Sequence, residues 1–201
     1  MKTLQLRLPP WTAILRAGFL ALALALLAPA AALAQDQQPA PAYLDNEALD
    51  RFFDALKAAP DPVSARIASA EIWYIWTHPL DPDLAARFDE ALAARQQADY
   101  EATLTILDDI VARWPGYAEG WNQRATIYYM LGDFERSLAD VAKVLALEPR
   151  HFGALSGGAI IQLSLGNRPA ALEFMIAAMR YHPFLSEVRL FPELLRPRVE
   201  V

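Results

Sequence analysis

The chain has 201 residues, 55% of them apolar, a formal charge of −6 at neutral pH and no cysteine. An acidic chain is a poor match for a phosphate backbone, which is gripped mainly through Lys and Arg, so nucleic acid is not among the expected partners. The missing thiols rule out disulfides, a thiolate nucleophile and a lipid-anchoring cysteine.

Residues 1–34 read as a secretory signal. Lys2, Arg7 and Arg16 form a basic start, Phe19 to Leu27 an apolar middle, and Ala32-Leu33-Ala34 a small-residue cleavage site before Gln35. Gly18 and Pro29 interrupt the apolar run, which suits a cleaved signal better than a spanning helix, so no membrane span is expected after cleavage. The alternative is an uncleaved N-terminal helix anchoring the chain, since about 20 apolar residues can cross a bilayer. Cleavage removes three basic groups from the eighteen and leaves all twenty-four acidic ones, a formal charge of −9. A periplasmic product with one continuous core is the expectation.

Residues 35–43 are polar, contain Pro39 and Pro41, and offer nothing to bury, so they read as a disordered linker. A helical hairpin is expected over 44–79. Asp45 or Asn46 can cap its first helix, and Leu49, Phe52, Phe53 and Leu56 make a one-sided stripe. Pro60-Asp61-Pro62 ends that helix. Ile67, Ile72, Ile75 and Trp76 give the second stripe, with Trp73 and Tyr74 widening it, and His78 to Pro82 is the next stop.

From Leu84 a 34-residue step runs through Ala118 to Phe152, giving units 84–117, 118–151 and 152–183. Pro115, Pro149 and Pro183 close the units. The inner turns hold Ala98-Asp99-Tyr100, Gly132-Asp133-Phe134 and Gly166-Asn167-Arg168. Small residues recur as Ala91, Ala125 and Ala159, and again as Thr103, Ser137 and Ala171, which lets paired helices approach closely. In the second unit Trp121, Tyr128, Gly132 and Pro149 resemble the tetratricopeptide repeat, while Arg124, Ser137 and Val141 depart from its usual Leu, Ala and Phe. In the first unit Arg87 replaces the Trp. The resemblance implies an all-α, right-handed superhelix of antiparallel helix pairs, a repeat solenoid with the divergent N-terminal hairpin packed on the repeats. Either that hairpin or a second copy of the chain could cover the apolar groove residues. Residues 184–201 would supply a C-terminal capping helix broken at Pro192, with Leu185, Val188 and Leu195 inward, and then a tail. The segments Ile-Trp-Tyr-Ile-Trp and Arg-His-Phe-Gly-Ala-Leu-Ser-Gly are similar to secreted tetratricopeptide-repeat proteins of alphaproteobacteria.

Catalytic chemistry finds little support. His78, His151 and His182 have no second His at metal-binding spacing, so no metal site is expected. A Ser156/His151 pair lacks a nucleophile elbow, and no phosphate-cradling glycine motif or other cofactor signature is present. Asp108 and Asp109 read as a solvated outer face, and Gly157-Gly158 as a place of close helix packing. The family resemblance implies a concave binding groove instead. Carried over position by position, it names Phe88 and Arg95 from the first unit, Glu119, Asn122, Thr126, Tyr129 and Met130 from the second, and Ser156, Ile160 and Leu163 from the third. The Lys and Arg of the family's carboxylate clamp have no counterparts at the corresponding positions. The expected job is a non-enzymatic scaffold of the cell envelope that binds a protein partner through a peptide or a helix held in that groove. Self-association through apolar groove residues is the second reading, and an undetected hydrolase using His151 the third.

Overall fold

A computed structural model describes residues 43–195. The expected signal peptide, its cleavage site, nearly all of the linker and the last six residues lie outside the described residues. Eight α-helices occupy them: α1 Asn46–Lys57, α2 Pro62–Thr77, α3 Pro82–Gln96, α4 Tyr100–Arg113, α5 Ala118–Met130, α6 Phe134–Leu147, α7 Phe152–Ser164 and α8 Arg168–Tyr181. No strand occurs among the described residues, and no helix there is long and apolar enough to cross a membrane. The all-α expectation holds.

Short polar side chains start most of these helices by accepting orphan backbone N–H groups. Asp45, Asp61, Asp81, Asp99, Asp133 and Asn167 all cap in this way. Two prolines read as stops prove to be starts. Pro62 and Pro82 sit in the first turns of α2 and α3, where a missing N–H costs nothing and the fixed φ is already helical. Consequently α3 begins two residues ahead of Leu84, whereas α4, α6 and α8 begin at Tyr100, Phe134 and Arg168, 34 residues apart. The turns between paired helices need a left-handed residue. Gly132 and Gly166 supply it with φ of 77° and 73°, and Ala98 adopts φ of 58° despite its Cβ.

Within each unit the two helices pair, and consecutive units stack through α4 on α5 and α6 on α7. Leu84, Phe88, Leu107, Ile110, Trp114, Tyr117 and Ile127 form the core between the first two units. Val141, Val144, Ala154 and Ile161 fill the space between the second and third. Burying each such Leu, Ile or Phe contributes roughly 1.5–3 kcal/mol before chain entropy is counted.

The α1–α2 hairpin does not simply extend the stack from the first unit. Leu49, Phe53, Leu56, Ile72 and Trp76 share a core with Phe152, Leu155, Ala159, Met175 and Ala178 of the third unit. The Tyr117 hydroxyl, at the end of the first unit, donates to the Trp76 carbonyl at 2.7 Å. Tyr43, assigned to the linker, is anchored: its carbonyl accepts the Leu80 N–H at 2.9 Å. The face of α2 that packs is Ala65, Ala68, Ser69, Ile72 and Trp76, so Ile67 and Tyr74 point outward, 63% and 59% exposed.

The C-terminal cap is built of two 3-10 turns, Ser186–Leu190 and Pro192–Leu194, in place of a capping α-helix. Phe191, between the two turns, is fully buried in the same core as Leu185, and Leu195 faces solvent.

Asp108 and Asp109 have specific partners. The Arg124 guanidinium grips Asp140 through two bonds of 2.7 and 2.8 Å and reaches Asp108 at 2.8 Å, tying α4, α5 and α6 together. Arg87 donates to Asp109 at 3.0 Å. Arginine therefore stands in two positions that differ from the family pattern because each pairs with an acid of α4. The Asp140 hydrogen bond raises the Arg124 pKa further above its usual value.

Candidate functional site

A cavity of about 390 Å³ lies against α5 and α7. From α5 it is lined by Asn122, Gln123, Ala125, Thr126 and Tyr129, and from α7 by Gly153, Ala154, Ser156, Gly157, Ile160 and Ile161. Ser137 and Val141 of α6 contribute to the lining, as do Trp73 of the hairpin, Arg95 of α3 and Glu187 of the first 3-10 turn. The chemistry is mixed: an aliphatic and aromatic wall, amide and hydroxyl groups, one guanidinium and one carboxylate.

Six of the ten groove residues named from the sequence meet here: Arg95, Asn122, Thr126, Tyr129, Ser156 and Ile160. The other four do not. Phe88 is wholly buried, edge-on to Tyr117 with ring centroids 5.4 Å apart, so it is core and offers no contact surface. Leu163 packs against the core shared by the hairpin and the third unit, and Met130 is exposed outside the cavity lining. Glu119 is 1% exposed and lies beneath the cavity.

Glu119 anchors a buried polar network. Its carboxylate accepts from Asn122 Nδ2 at 3.0 Å, from Gln123 Nε2, and from His151 Nε2 at 3.0 Å. Gln123 Oε1 in turn accepts from the Arg95 guanidinium on the cavity wall. His151 Nδ1 accepts the Ala154 N–H at 3.0 Å, capping α7. A backbone N–H can only donate, so Nδ1 carries the lone pair and Nε2 the proton. The imidazole also stacks on Trp76, with ring centroids 3.9 Å apart and planes 5° from parallel. His151 thus joins the hairpin, the second unit and the third at one point.

These bonds are at odds with the hydrolase reading. Both His151 nitrogens are committed elsewhere, and the Ser156 hydroxyl donates to the Gly153 carbonyl at 3.2 Å. His182 is buried against Phe152, with ring centroids 5.1 Å apart, and burial lowers its pKa. Among the described residues no cluster of His, Asp or Glu is arranged to hold a metal ion.

Sequence reasoning missed Trp73, Gln123, Gly157 and Glu187 as lining residues. Gln123 and Gly157 occupy equivalent unit positions, one place beyond those carried over from the family pattern. Trp73 and Glu187 lie outside the repeat register altogether, so no spacing within the units points to them.

No family model matches the chain. A curated TPR repeat-containing protein of Rhizobium etli is 37% identical over 128 residues, 64% of this chain and 63% of that protein, so the likeness spans just under two thirds of the relative. Among solved structures, the TPR2B-domain:pHsp70 complex of yeast Sti1 covers 57% of this chain and 94% of its own, at 21% identity and a TM-score of 0.52. A MamA structure covers 74% and 83% at 14% identity, with a TM-score of 0.47, too distant to argue from. The 34-residue spacing of α4, α6 and α8, the pairwise stacking of the helices and the likeness to the Sti1 domain give the chain the fold of the tetratricopeptide repeat.

Proposed function

We propose that the protein is a non-enzymatic scaffold of the bacterial cell envelope that holds a short extended peptide segment in the cavity against α5 and α7. The observation that carries this reading is the cavity itself, about 390 Å³ with apolar walls and convergent amides and hydroxyls. That volume lies at the low end of the 300–1,000 Å³ typical of ligand sites. It favours a strand over the helix that an open groove would also admit, because a helix with its side chains is about 10–12 Å across. The hairpin limits the site, since Trp73 forms part of its wall. The complex of the Sti1 TPR2B domain with pHsp70 is consistent with partner binding by this fold. Envelope location rests on the basic, apolar and small-residue pattern of residues 1–34.

Self-association, the rival reading, loses two of its contacts, because Phe88 and Leu163 pack within the protein. Capture from a crosslinked envelope extract, using residues 35–201 as bait, tests the proposal. The wild type should recover one partner that Tyr129→Ala loses while keeping its helical circular dichroism. Equal recovery by both would remove the cavity from the account.

A further inference from the structure

We propose that this cavity selects an aromatic side chain, laid on the bare backbone of Gly157 beside the ring of Trp73. The inference rests on the peptide-binding reading above and names the side chain that the site prefers.

Helix α7 turns Gly153 and Gly157, one helical turn apart, toward the cavity. The hairpin occupies the first of these places. A Cβ built on Gly153 would fall 2.6 Å from Trp73 Cη2, so the indole rests directly on the glycine backbone. At Gly157 a Cβ would meet no atom within 4 Å. The same kind of platform therefore continues for one more turn, inside the cavity and uncovered by the chain. The repeat register explains why only the third unit provides it, because Asp89 and Gln123 fill the equivalent position in the other two.

The surroundings suit a flat ring. Trp73 makes edge-on contacts with Trp76, Phe152 and His151, at centroid distances of 5.2, 5.6 and 5.7 Å, yet still lines the cavity. Tyr129 gives a second aromatic wall, and Ile160 lies one turn of α7 from Ser156 on the same lining. Aromatic rings gain from offset or edge-on partners at about 4.5–7 Å, a gain that an aliphatic side chain does not share. Size agrees as well. An apolar cavity of roughly 150 Å³ accepts benzene, so about 390 Å³ admits an aromatic side chain with its flanking backbone. Arg95 and Asn122 then stand where the peptide's own polar groups would lie.

The test titrates the ¹⁵N-labelled protein with N-acetyl-tryptophanamide and, separately, with N-acetyl-leucinamide up to millimolar concentration. The Gly153 and Gly157 amide signals and the Trp73 indole signal are followed. The aromatic amide should move all three and bind at least about tenfold more tightly than the leucine amide. Gly157→Leu should abolish binding while raising Tm, since it replaces a helical glycine and projects into open space. Gly157→Ala, a smaller change, should weaken binding several-fold with the same rise in Tm. Equal binding of the two amides would overturn aromatic selection and leave the peptide site standing. No response to either amide would overturn both readings. Shifts of the same signals on concentrating the protein alone would assign the cavity to a second copy and overturn the inference.

Discussion

Replacing His151 by Ala removes three interactions at one buried point. The α7 cap is lost, worth about 1 kcal/mol. Glu119 loses one of its three donors inside the protein, a charge-assisted bond worth roughly 1.5–3 kcal/mol. The stack on Trp76 also goes, about 0.5–1.5 kcal/mol beyond the buried area. We expect a total loss of about 3–5 kcal/mol, the range found when one member of a buried polar pair is deleted. Urea denaturation followed by far-ultraviolet circular dichroism and tryptophan fluorescence measures it. Because the two residues share a hydrogen bond, Glu119→Ala combined with His151→Ala should cost less than the separate losses added, by about 1–3 kcal/mol. A loss below about 1 kcal/mol for His151→Ala, or strict additivity in the double variant, would refute the view that this pair fastens the hairpin to the repeats.

Three further outcomes follow from the geometry. Ala98→Gly should raise stability by about 1 kcal/mol and Tm by about 2–4 °C, because it relieves a left-handed alanine that glycine replaces in the other two turns; a lower Tm in calorimetry would contradict this. Phe191→Ala should cost about 3–5 kcal/mol in urea, since the ring is wholly buried under the third unit; a loss near zero would show the cap to be dispensable. His182 should make stability depend on pH. Burial places its folded pKa below the unfolded value of 6.5, so the folded state takes up the proton less readily. The contribution is full above that value and is lost as pH falls through it toward the folded pKa. Unfolding curves collected across that window should flatten in His182→Asn, and an unchanged pH profile would refute the assignment.

The repeats were legible because their packing imposes the same demands every 34 residues: a small side chain where two helices close up, a left-handed turn, a proline after the last helix. Ala98 shows how far such a demand reaches, since the backbone adopts the left-handed turn even where the sequence lacks the glycine. Register reports where a side chain lies along its helix, and it is silent about what covers that side chain. Phe88 and Glu119 stand at groove positions, yet Tyr117 lies against one and His151 against the other. The hairpin's seat was out of reach for a related reason. Its decisive contacts, Trp76 on His151 and Trp73 on Gly153, join residues some eighty positions apart, and one member of each pair lies outside the repeats. Asp108 is exposed, as its place on an outer face suggested, but Arg124 and Arg87, which pair with Asp108 and Asp109, come from neighbouring helices and leave no mark in the spacing of α4. Phe191 was hidden because it lies between two short 3-10 turns, where α-helical spacing cannot sort inward from outward residues.

Photo-crosslinking in cells addresses the central claim, that the lining of α5 and α7 is where a partner is held. A photoreactive phenylalanine placed at Tyr129, on the cavity wall, is compared with one at Ala142, exposed on α6 outside the cavity lining. A discrete crosslinked protein is expected from position 129 and none from position 142. A crosslink from position 142 alone would move the binding surface off the cavity and contradict it.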